Sequence, residues 1–543
     1  MISKGVLFLA ALFSAAASCS QGREEMMKPV QTGHPCELEL TAERDYDNPL
    51  WDVAITVTFT APSGTQTTVE GFWDGGRTWK VRFTPWEPGS WEWTSASQPP
   101  DPGLAGKRGA FECRRYDGDN PAYRRGPLKV SEDRAHLEWA DGTPFFWLAD
   151  TAWNGVLGAN KDDWWQYLRR RREQGFTAVQ FVCTHWRGFS RDAAGERAWE
   201  GTEQVRINPS FFRRMDAKVA MINEAGLIAA PVILWACTPP DPGQSLPEAD
   251  AIRVARYIVA RWGAYNVVWF LGGDGVYTGE KAQRWKNIGR AVFGDRHDRL
   301  VTMHPGGMHW PYDEIGAEPW LDFWGYQSSH GRGEPTQKWL TQGPPAQAWK
   351  RPDRKPIINL EPNYEAHPNG HGRVFSDRDV RQALYWSLLV SPTAGVTYGH
   401  NWIWPWRETP GEPEGHPYIH QVGAWHEAVE APGAQQLRHL RAFFESIPWW
   451  RLAPAPELLS NQPGAADVDR FVAVAATADL SAIVVFTPHA QPVELTPQAL
   501  SRHTTARWFN PRTGEWSSAR VHVAGPVVPP ADGDWLLLVT RNG

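Results

Sequence analysis

Two kinds of hydrophobic pattern alternate along the chain, and the first is a period of two. Between residues 35 and 116, apolar positions alternate with polar ones, as at 53–59 and 79–83, and turn sequences such as 74–76 separate the segments. This pattern predicts short strands and an N-terminal β-sandwich domain at 35–116. Short strand-like segments return at 450–543, where 510–514 has a hairpin-turn composition, and they predict a C-terminal β-sandwich.

The middle of the chain, residues 125–447, repeats apolar runs between helical stretches. The runs lie at 145–149, 177–182, 228–235, 266–271, 299–303, 321–326, 356–360 and 394–398. Most spacings suit a strand-helix-strand unit, and the short fifth spacing implies a stunted helix. Asn160 and Gly175 have the residue types that begin and end a helix between the first two runs. The predicted fold class is therefore α/β, a (β/α)8 TIM barrel flanked by the two β-sandwich domains; an open, doubly wound sheet is the alternative.

The first residues predict export. Lys4 precedes an apolar run at 6–13 and then small residues, the pattern of a signal peptide at 1–19. The residues before Cys19 resemble a lipoprotein cleavage box, although Ala16 stands where such boxes usually have Leu. Lipidation at Cys19 and simple cleavage both remain open, followed by a polar tether at 20–34. The expected location is the periplasm or the cell surface, with membrane anchoring if Cys19 carries a lipid.

Composition narrows the class of partner. The 543 residues carry a net charge of -6 without a basic block, so nucleic acid is not an expected partner. The 32 tryptophans favour a polysaccharide or oligosaccharide substrate, because indole faces stack on the C–H faces of sugar rings. The cysteine and histidine spacings match no common metal motif, so we expect neither a metal nor a cofactor. Cys36 and Cys113 bracket the first sandwich, and in an exported chain they predict a disulfide.

Two carboxylic acids follow strands that lie opposite each other in the predicted barrel. Asp274 follows the fourth run and Glu361 follows the seventh. Active sites of such barrels gather at the carboxyl ends of the strands. Glycoside hydrolysis needs one carboxylic acid to protonate the leaving oxygen and a second carboxylate as nucleophile or base. We therefore predict Asp274 as the acid/base and Glu361 as the nucleophile.

Other polar and aromatic residues at the strand ends are candidates for binding substrate. Imidazoles and amides can bond to sugar hydroxyls, and indoles can stack on the rings, although a helix cap or core packing is the alternative for several of them. Asn359, Tyr326 and His330 are expected to donate hydrogen bonds to Glu361. The predicted substrate-binding residues are Asp150, Trp153, His185, Trp235, His304, Tyr326, Gln327, His330, Asn359, Tyr364, His400, Trp402 and Trp404.

Several segments resemble a known family. The sequences at 146–153, 271–274, 326–330 and 359–365 resemble the apiosidase-like glycoside hydrolases, a family 140-like group of the large barrel clan A. The segment at 83–93 is similar to a β-sandwich that precedes such barrels, and 508–514 is similar to a collagen-binding-type sandwich that follows them. The resemblance therefore extends over nearly the whole mature chain.

The resemblance implies a retaining mechanism, with the acid/base at Asp274 and the nucleophile at Glu361. It also implies removal of apiose side chains from a branched pectin, rhamnogalacturonan II. The chain departs from the family at Gly275, where members often carry a basic residue, and this bears on the sugar subsite. The alternatives are a non-catalytic glycan-binding surface protein, a clan A glycosidase for another glycan, and a collagen-binding or proteolytic function.

Overall fold

A computed structural model describes residues 25–26, 28–294, 298–369, 372–500, 504–520 and 525–541. The predicted signal peptide and Cys19 lie outside the described residues. In the part of the chain that is described, no helix combines the length and the hydropathy needed to cross a bilayer.

The N-terminal sandwich consists of two antiparallel-rich sheets. One sheet has the order β1-β9-β8-β4-β5 with β2 also on β9, and the other has the order β3-β7-β6. Along β4, Ile55, Val57 and Phe59 point into the core, as the alternating pattern predicts. The elements are β1 (Glu25–Met26), β2 (Val30–Gln31), β3 (Cys36–Thr41), α1 (Pro49–Asp52), β4 (Ala54–Thr60), β5 (Gln66–Glu70), β6 (Phe72–Trp73), β7 (Thr78–Phe83), β8 (Gly89–Gln98), β9 (Arg108–Arg114) and α2 (Pro121–Arg124).

The predicted disulfide between Cys36 and Cys113 is wrong. Both thiols are free and buried, Cys36 on β3 of one sheet and Cys113 on β9 of the other. The Cys36 thiol instead donates to the carbonyl oxygen of Phe83 at 3.2 Å. Burial raises the pKa of the Cys36 thiol to about 12, so it stays protonated as a small apolar part of the core.

The middle domain is a parallel eight-stranded barrel. The strands follow the order β19-β18-β17-β14-β13-β22-β21-β20, and β19 and β20 lie side by side, where Thr302 of β19 donates to the carbonyl oxygen of Phe323 at 2.8 Å. The predicted α/β barrel with flanking β-sandwiches is thus confirmed. A small sheet, β10 (Leu128–Val130), β11 (Leu137–Trp139) and β12 (Pro144–Phe145), precedes the barrel strands, which are β13 (Trp147–Thr151), β14 (Ala178–Val182), β17 (Ile228–Trp235), β18 (Trp269–Gly275), β19 (Val301–Pro305), β20 (Trp324–Gln327), β21 (Ile357–Glu361) and β22 (Gly395–Tyr398).

Helices connect these strands and surround the barrel. Asn160 caps α4 by accepting from the backbone N–H of Asp163 at 2.9 Å, and Gly175 ends this region with a φ of 94°. The stunted fifth helix is α9, four residues long. The remaining elements of the domain are α3 (Gly155–Gly158), α4 (Lys161–Glu173), the hairpin β15 (Trp199–Glu200) and β16 (Arg206–Ile207), α5 (Pro209–Glu224), α6 (Pro242–Ser245), α7 (Glu248–Trp262), α8 (Glu280–Phe293), α9 (Tyr312–Ile315), α10 (Glu334–Gln342), α11 (Pro344–Ala348), α12 (Asp377–Leu389), α13 (Trp425–Ala428) and α14 (Pro432–Glu445).

Buried ion pairs join the barrel to both sandwiches. Asp216 of α5 accepts from Arg82 of β7 at 2.8 Å and from Arg261 of α7 at 2.7 Å. On the other side, Arg381 of α12 pairs with Asp534 at 2.8 Å. Asp534 precedes the last strand of the C-terminal sheet, whose order is β23-β24-β25-β28-β26-β27. Its strands are β23 (Ala453–Pro454), β24 (Ala473–Ala476), β25 (Ala482–Thr487), β26 (Thr504–Phe509), β27 (Trp516–Ser518) and β28 (Trp535–Arg541).

Candidate active site

A pocket at the carboxyl ends of the barrel strands contains both predicted catalytic carboxyls. Asp274 comes from the end of β18 and Glu361 from the end of β21. The pocket is lined by Trp153, Trp186, Arg187, Trp235, Asp274, Gln327, His330, Glu361, Tyr364, His367, Trp404, His416, Tyr418 and Ile419. One carboxyl pair therefore shares a confined space with four indole rings and three imidazoles.

This pocket is not the largest depression on the protein. Its volume is about 90 Å³, compared with about 510 Å³ for a depression between α4 and α5 and about 350 Å³ for a groove between the sandwich and α7. A third space, of about 240 Å³, lies beside Glu408 and Glu414. None of the three larger spaces contains Asp274 or Glu361. We identify the site by its chemistry and its position at the strand ends.

Two imidazoles hold the Glu361 carboxylate. Nε2 of His304 lies 3.1 Å from Oε2, and Nε2 of His330 lies 2.9 Å from Oε1. Burial opposes ionisation of this side chain, but the contacts with the two histidines outweigh burial and keep the pKa of Glu361 well below its usual value. The side-chain oxygen of Asn359 accepts from the Glu361 backbone N–H at 3.2 Å, which fixes the strand end. Glu361 is therefore ionised and oriented.

Asp274 has the opposite environment. Burial raises its pKa to about 6, and the negative charge of Glu361 adds to this effect; Cys237, His304 and Arg187 act in the other direction. The Asp274 backbone lies in the left-handed region at a φ of 51°, which Asp tolerates better than most residues. Gly273 beside it leaves no room for a side chain, because a Cβ there would collide with Trp235. Asp274 thus holds its proton in the pH range in which Glu361 is charged.

Two carboxyl groups with proton affinities that differ in this way can divide the work of an acid and a nucleophile. The protonated Asp274 can donate to a leaving group, and the charged Glu361 can attack or stabilise an electron-poor carbon. Among the described residues, no group of three or more His, Cys, Asp or Glu side chains is arranged to hold a metal ion.

The structure brings eight of the thirteen predicted binding residues to the pocket or directly behind its carboxylate. His304 and Asn359 contact Glu361 from below and do not line the space. Trp404 lines the pocket, packed on the ring of His416 at 4.7 Å between centroids. The six that line the pocket are Trp153, Trp235, Gln327, His330, Tyr364 and Trp404.

Asp150 is not available to a substrate, which corrects the prediction that it binds sugar hydroxyls. It is fully buried and points away from the barrel interior toward α4. There it accepts from Nε of Arg171 and from the hydroxyl of Tyr167, each at 2.5 Å. Successive side chains of a strand point to opposite faces, and Asp150 is on the face opposite to Trp147, which packs inside the barrel against Phe270.

Four further predicted binding residues also lie outside the pocket lining. Nδ1 of His185 accepts from the backbone of Ala198 at 3.3 Å, in the loop after β14. His400 accepts from the backbone of Trp402 at 3.0 Å, and the Trp402 ring packs beside it. Tyr326 is buried, with its ring against Trp339, so it does not donate to Glu361 as predicted. The same prediction is wrong for Asn359, whose side-chain N–H groups donate to the hydroxyls of Ser328 and Ser387. Each of these side chains stabilises a loop or a helix contact instead.

Sequence reasoning missed pocket residues that come from long loops. Trp186 and Arg187 follow β14, and the Trp186 ring packs on Trp235 at 4.6 Å. His367 follows Glu361 and stacks on His330 at 4.4 Å. His416 and Tyr418 belong to the loop 399–424 after β22. Trp186 could have been found from its position beside His185, but no pattern in the sequence shows how far the last loop reaches.

Comparisons with known proteins agree with this geometry. Residues 131–451, more than half of the chain, match the family described as "Apiosidase-like, catalytic domain". Residues 29–98 match a domain of unknown function, DUF5060, and residues 453–540 match a family described as a collagen-binding domain of a collagenase. No curated protein sequence matches significantly.

Solved structures of glycoside hydrolases share the fold. One from Bacteroides vulgatus ATCC 8482 is 18% identical with a TM-score of 0.69, over 95% of this chain and 100% of that chain. A family 5 enzyme from the same organism is 24% identical with a TM-score of 0.68, over 77% of this chain and 93% of that chain. A third, described as a glycoside hydrolase, is 23% identical with a TM-score of 0.67, over 77% and 97%. The fold, the carboxyl pair and the match over the barrel lead to one assignment: the chain belongs to the apiosidase-like family of glycoside hydrolases.

Proposed function

We propose that this protein is a retaining glycoside hydrolase that removes apiose side chains from pectin of the rhamnogalacturonan II type. In this mechanism Glu361 attacks the anomeric carbon while Asp274 protonates the leaving oxygen. Water then enters from the side of Asp274, which acts as a base in the second step. Membership of the apiosidase-like family supports apiose as the sugar that is released.

The opposed proton affinities of Asp274 and Glu361 are the observation that carries the proposal. A nucleophile must be ionised, and the two histidines favour the ionised form of Glu361. An acid must hold its proton, and burial together with the Glu361 charge raises the pKa of Asp274 to about 6. Once a glycosyl group neutralises Glu361, one cause of that raised pKa disappears, and Asp274 becomes the base that the second step requires.

Aromatic and polar side chains around the carboxyls support a sugar as the ligand. Trp153, Trp235 and Trp404 offer apolar faces, and Gln327 and Tyr364 offer hydrogen-bonding groups in the same space. Export to the periplasm or the cell surface, with a lipid at Cys19, is part of the proposal, since a polysaccharide substrate is met outside the cytoplasm. Mass spectrometry of membrane-bound protein would detect a lipid on Cys19.

Purified protein incubated with rhamnogalacturonan II oligosaccharides tests the proposal. We expect release of a chain that ends in apiose, detected by mass spectrometry, and none with Glu361→Ala. Other glycans should be assayed in parallel, because hydrolysis of one of them alone would keep the enzyme class and reject the sugar. If the protein binds glycans but hydrolyses none of them, the result would favour the glycan-binding alternative.

A further inference from the structure

The depression of about 510 Å³ beside α3, α4 and α5 shares no residue with the pocket around Glu361. It lies at the N-terminal ends of α4 and α5, on the same side of the barrel as the carboxyl ends of the strands. Its lining combines one acid with four basic side chains, namely Asp192 with Lys161, Arg213, Arg214 and Lys218. The depression therefore has a positive potential, which favours an anion as its ligand.

Lys218 of α5 is buried in the wall of this depression without a carboxylate partner. It is 6% exposed, and its Nζ donates to the carbonyl oxygen of Ala159 at 2.8 Å. Among the described residues, Lys218 forms no ion pair and no second side-chain hydrogen bond. Burial lowers the pKa of Lys218 to about 8, and the nearby charges of Arg214 and Lys161 act in the same direction. A bound anion would offset the cost of burying this ammonium group.

Asp192 is not available as that anion, because both of its carboxylate oxygens are occupied. Oδ2 accepts from Nε of Arg214 at 2.7 Å, and Oδ1 accepts from the backbone N–H groups of Ala194 and Glu196 at 3.0 and 2.9 Å. The carboxylate of Glu196 also turns to Arg214, with Oε2 2.7 Å from Nη2. Arg214 thus has two acids, and Asp192 raises the pKa of Lys218 by less than burial lowers it.

Lys161 supplies a second cation without a counter-charge. It is the first residue of α4, is exposed, and has no ion pair or side-chain hydrogen bond in the part of the chain that the structure describes. A phosphate monoester carries a charge of about −1.5 to −2 at neutral pH, which two ammonium groups balance. A single carboxylate would balance only one of the two lysines.

Much of the remaining lining is apolar. Val156 and Leu157 of α3, Ala159 and Met215 of α5 contribute aliphatic side chains and a thioether to the same space. A bare inorganic ion would leave these groups without a contact, whereas the volume admits an organic body of the size of a sugar ring. The lining therefore suits a molecule that has a charged end and a less polar body.

We infer that this depression is a binding site for a small phosphate monoester, with Lys218 and Lys161 as its charge partners. An ammonium group is a compact point charge that binds phosphate well, and the guanidinium of Arg214 is already held by two carboxylates. Val156, Leu157 and Met215 would contact the organic part of the ligand. The site goes beyond the proposed function and is independent of it, because neither Asp274 nor Glu361 takes part.

Calorimetry with glucose 6-phosphate tests the inference, with glucose as the neutral control. We expect the wild-type protein to bind the phosphate ester at least about tenfold more tightly than glucose, the range of one charge-assisted hydrogen bond. Lys218→Met should weaken binding of the ester at least about tenfold, and Lys161→Met should weaken it about threefold, since an exposed charge is screened by water. Lys281→Met, which removes an exposed lysine of α8, should leave the affinity unchanged.

Proton uptake gives a second measurement of the same site. At pH 8 about half of the Lys218 side chains are protonated, because the pKa is about 8, and a bound phosphate should draw a proton onto the remainder. Calorimetry in two buffers of different ionisation enthalpy measures this uptake. We expect up to about half a proton per ligand in the wild-type protein and none in Lys218→Met.

Equal affinity of the wild-type protein for glucose and glucose 6-phosphate would overturn the inference, as would an undiminished affinity in folded Lys218→Met. Circular dichroism verifies folding, and Lys161→Met decides the question if the buried variant misfolds. Loss of binding in Arg187→Met with full binding in Lys218→Met would place the ligand in the barrel pocket and also reject the site.

Two further probes distinguish the sources of the phosphate group. Inorganic phosphate that binds as tightly as the ester would reject the organic part of the ligand. Vesicles of phosphatidylcholine with phosphatidic acid carry the same phosphate on a lipid. Binding to these vesicles that both lysine variants weaken, without binding of glucose 6-phosphate, would assign the site to a membrane surface and reject the soluble ester. None of these results bears on glycoside hydrolysis, which is measured separately.

Discussion

His330 lies with its Nε2 atom 2.9 Å from Oε1 of Glu361, and this contact occupies one of the two oxygens of the carboxylate. The other oxygen faces His304 at 3.1 Å. The imidazoles thus orient the carboxylate as well as lowering its pKa.

Removing one of these contacts should shift the acid side of the pH profile. His330→Ala should raise the pKa of Glu361, because burial favours the protonated carboxyl and only His304 then remains to oppose it. Activity would be lost at a higher pH on the acidic side, since a larger fraction of Glu361 is protonated there. The measurement is kcat/KM against pH, with the exposed His426→Ala as the control; an acid limb at the same pH as in the wild type would contradict the role of His330.

Asp274 should set the other limb of the same profile. The acid must be protonated, and its pKa is about 6, so kcat/KM should fall as the pH rises above this value. In Glu361→Gln the carboxyl charge is absent, and the pKa of Asp274 should decrease while burial keeps it above that of an exposed Asp. Carbon NMR of labelled Asp274 measures this directly. An unchanged titration in the variant would mean that the two carboxyls do not interact.

Glu361→Ala should abolish turnover on every substrate, because no covalent intermediate can form. Added azide should restore some cleavage of an activated glycoside and give a glycosyl azide of inverted configuration, since azide enters from the empty side of Glu361. NMR of the products shows the configuration, and exposed Glu427→Ala should behave like the wild type. Near-normal activity of Glu361→Ala would refute the assignment.

Asp274→Ala should affect substrates unequally. Aryl glycosides with good leaving groups need little protonation, so their first step should remain fast, while natural leaving groups should react orders of magnitude more slowly. Azide should accelerate the second step and give a product of retained configuration. A uniform loss with both kinds of leaving group, or inversion by the wild-type enzyme, would argue against Asp274 as the acid/base of a retaining mechanism.

Asp150 should matter for stability. Asp150→Ala would leave Arg171 buried without its carboxylate, which costs about 3–5 kcal/mol in the free energy of unfolding. Denaturant unfolding measures the loss, and Asp162→Ala on the exposed side of α4 is the control. The folded fraction should keep its KM, because Asp150 does not reach the pocket; a raised KM with normal stability would restore the binding role.

The sequence predicts the barrel well, since buried parallel strands are near-continuous apolar runs. The run at 228–235 coincides with β17, Ile228–Trp235, whereas β18 begins at Trp269 where the pattern places a strand from 266. The wall of a barrel is apolar on both sides of the strand, so the pattern does not show which residues form the ladder. For the same reason it does not show which way Asp150 points.

In the candidate site, the residues at strand ends can be predicted from the sequence, and the residues on loops cannot. Asp274 and Glu361 follow from their positions at strand ends, because topology brings all strand ends of a barrel to one face. Arg187, His416 and Tyr418 reach the pocket through loops, and the path of a loop depends on local contacts such as that of Gly415 with Arg187. Such contacts have no periodic signature in the sequence.

The cluster of Arg82, Asp216 and Arg261 ties the N-terminal sandwich to the barrel, so the two domains are not independent units. Arg261 also lies 2.9 Å from Asp74 of the sandwich, so this arginine is shared between the two domains. An isolated barrel would expose the apolar surface under the sandwich and would keep Asp216 and Arg261 without Asp74 and Arg82. The sandwich and the barrel should therefore melt in a single transition, and evolution could exchange the N-terminal module only by changing the barrel surface with it.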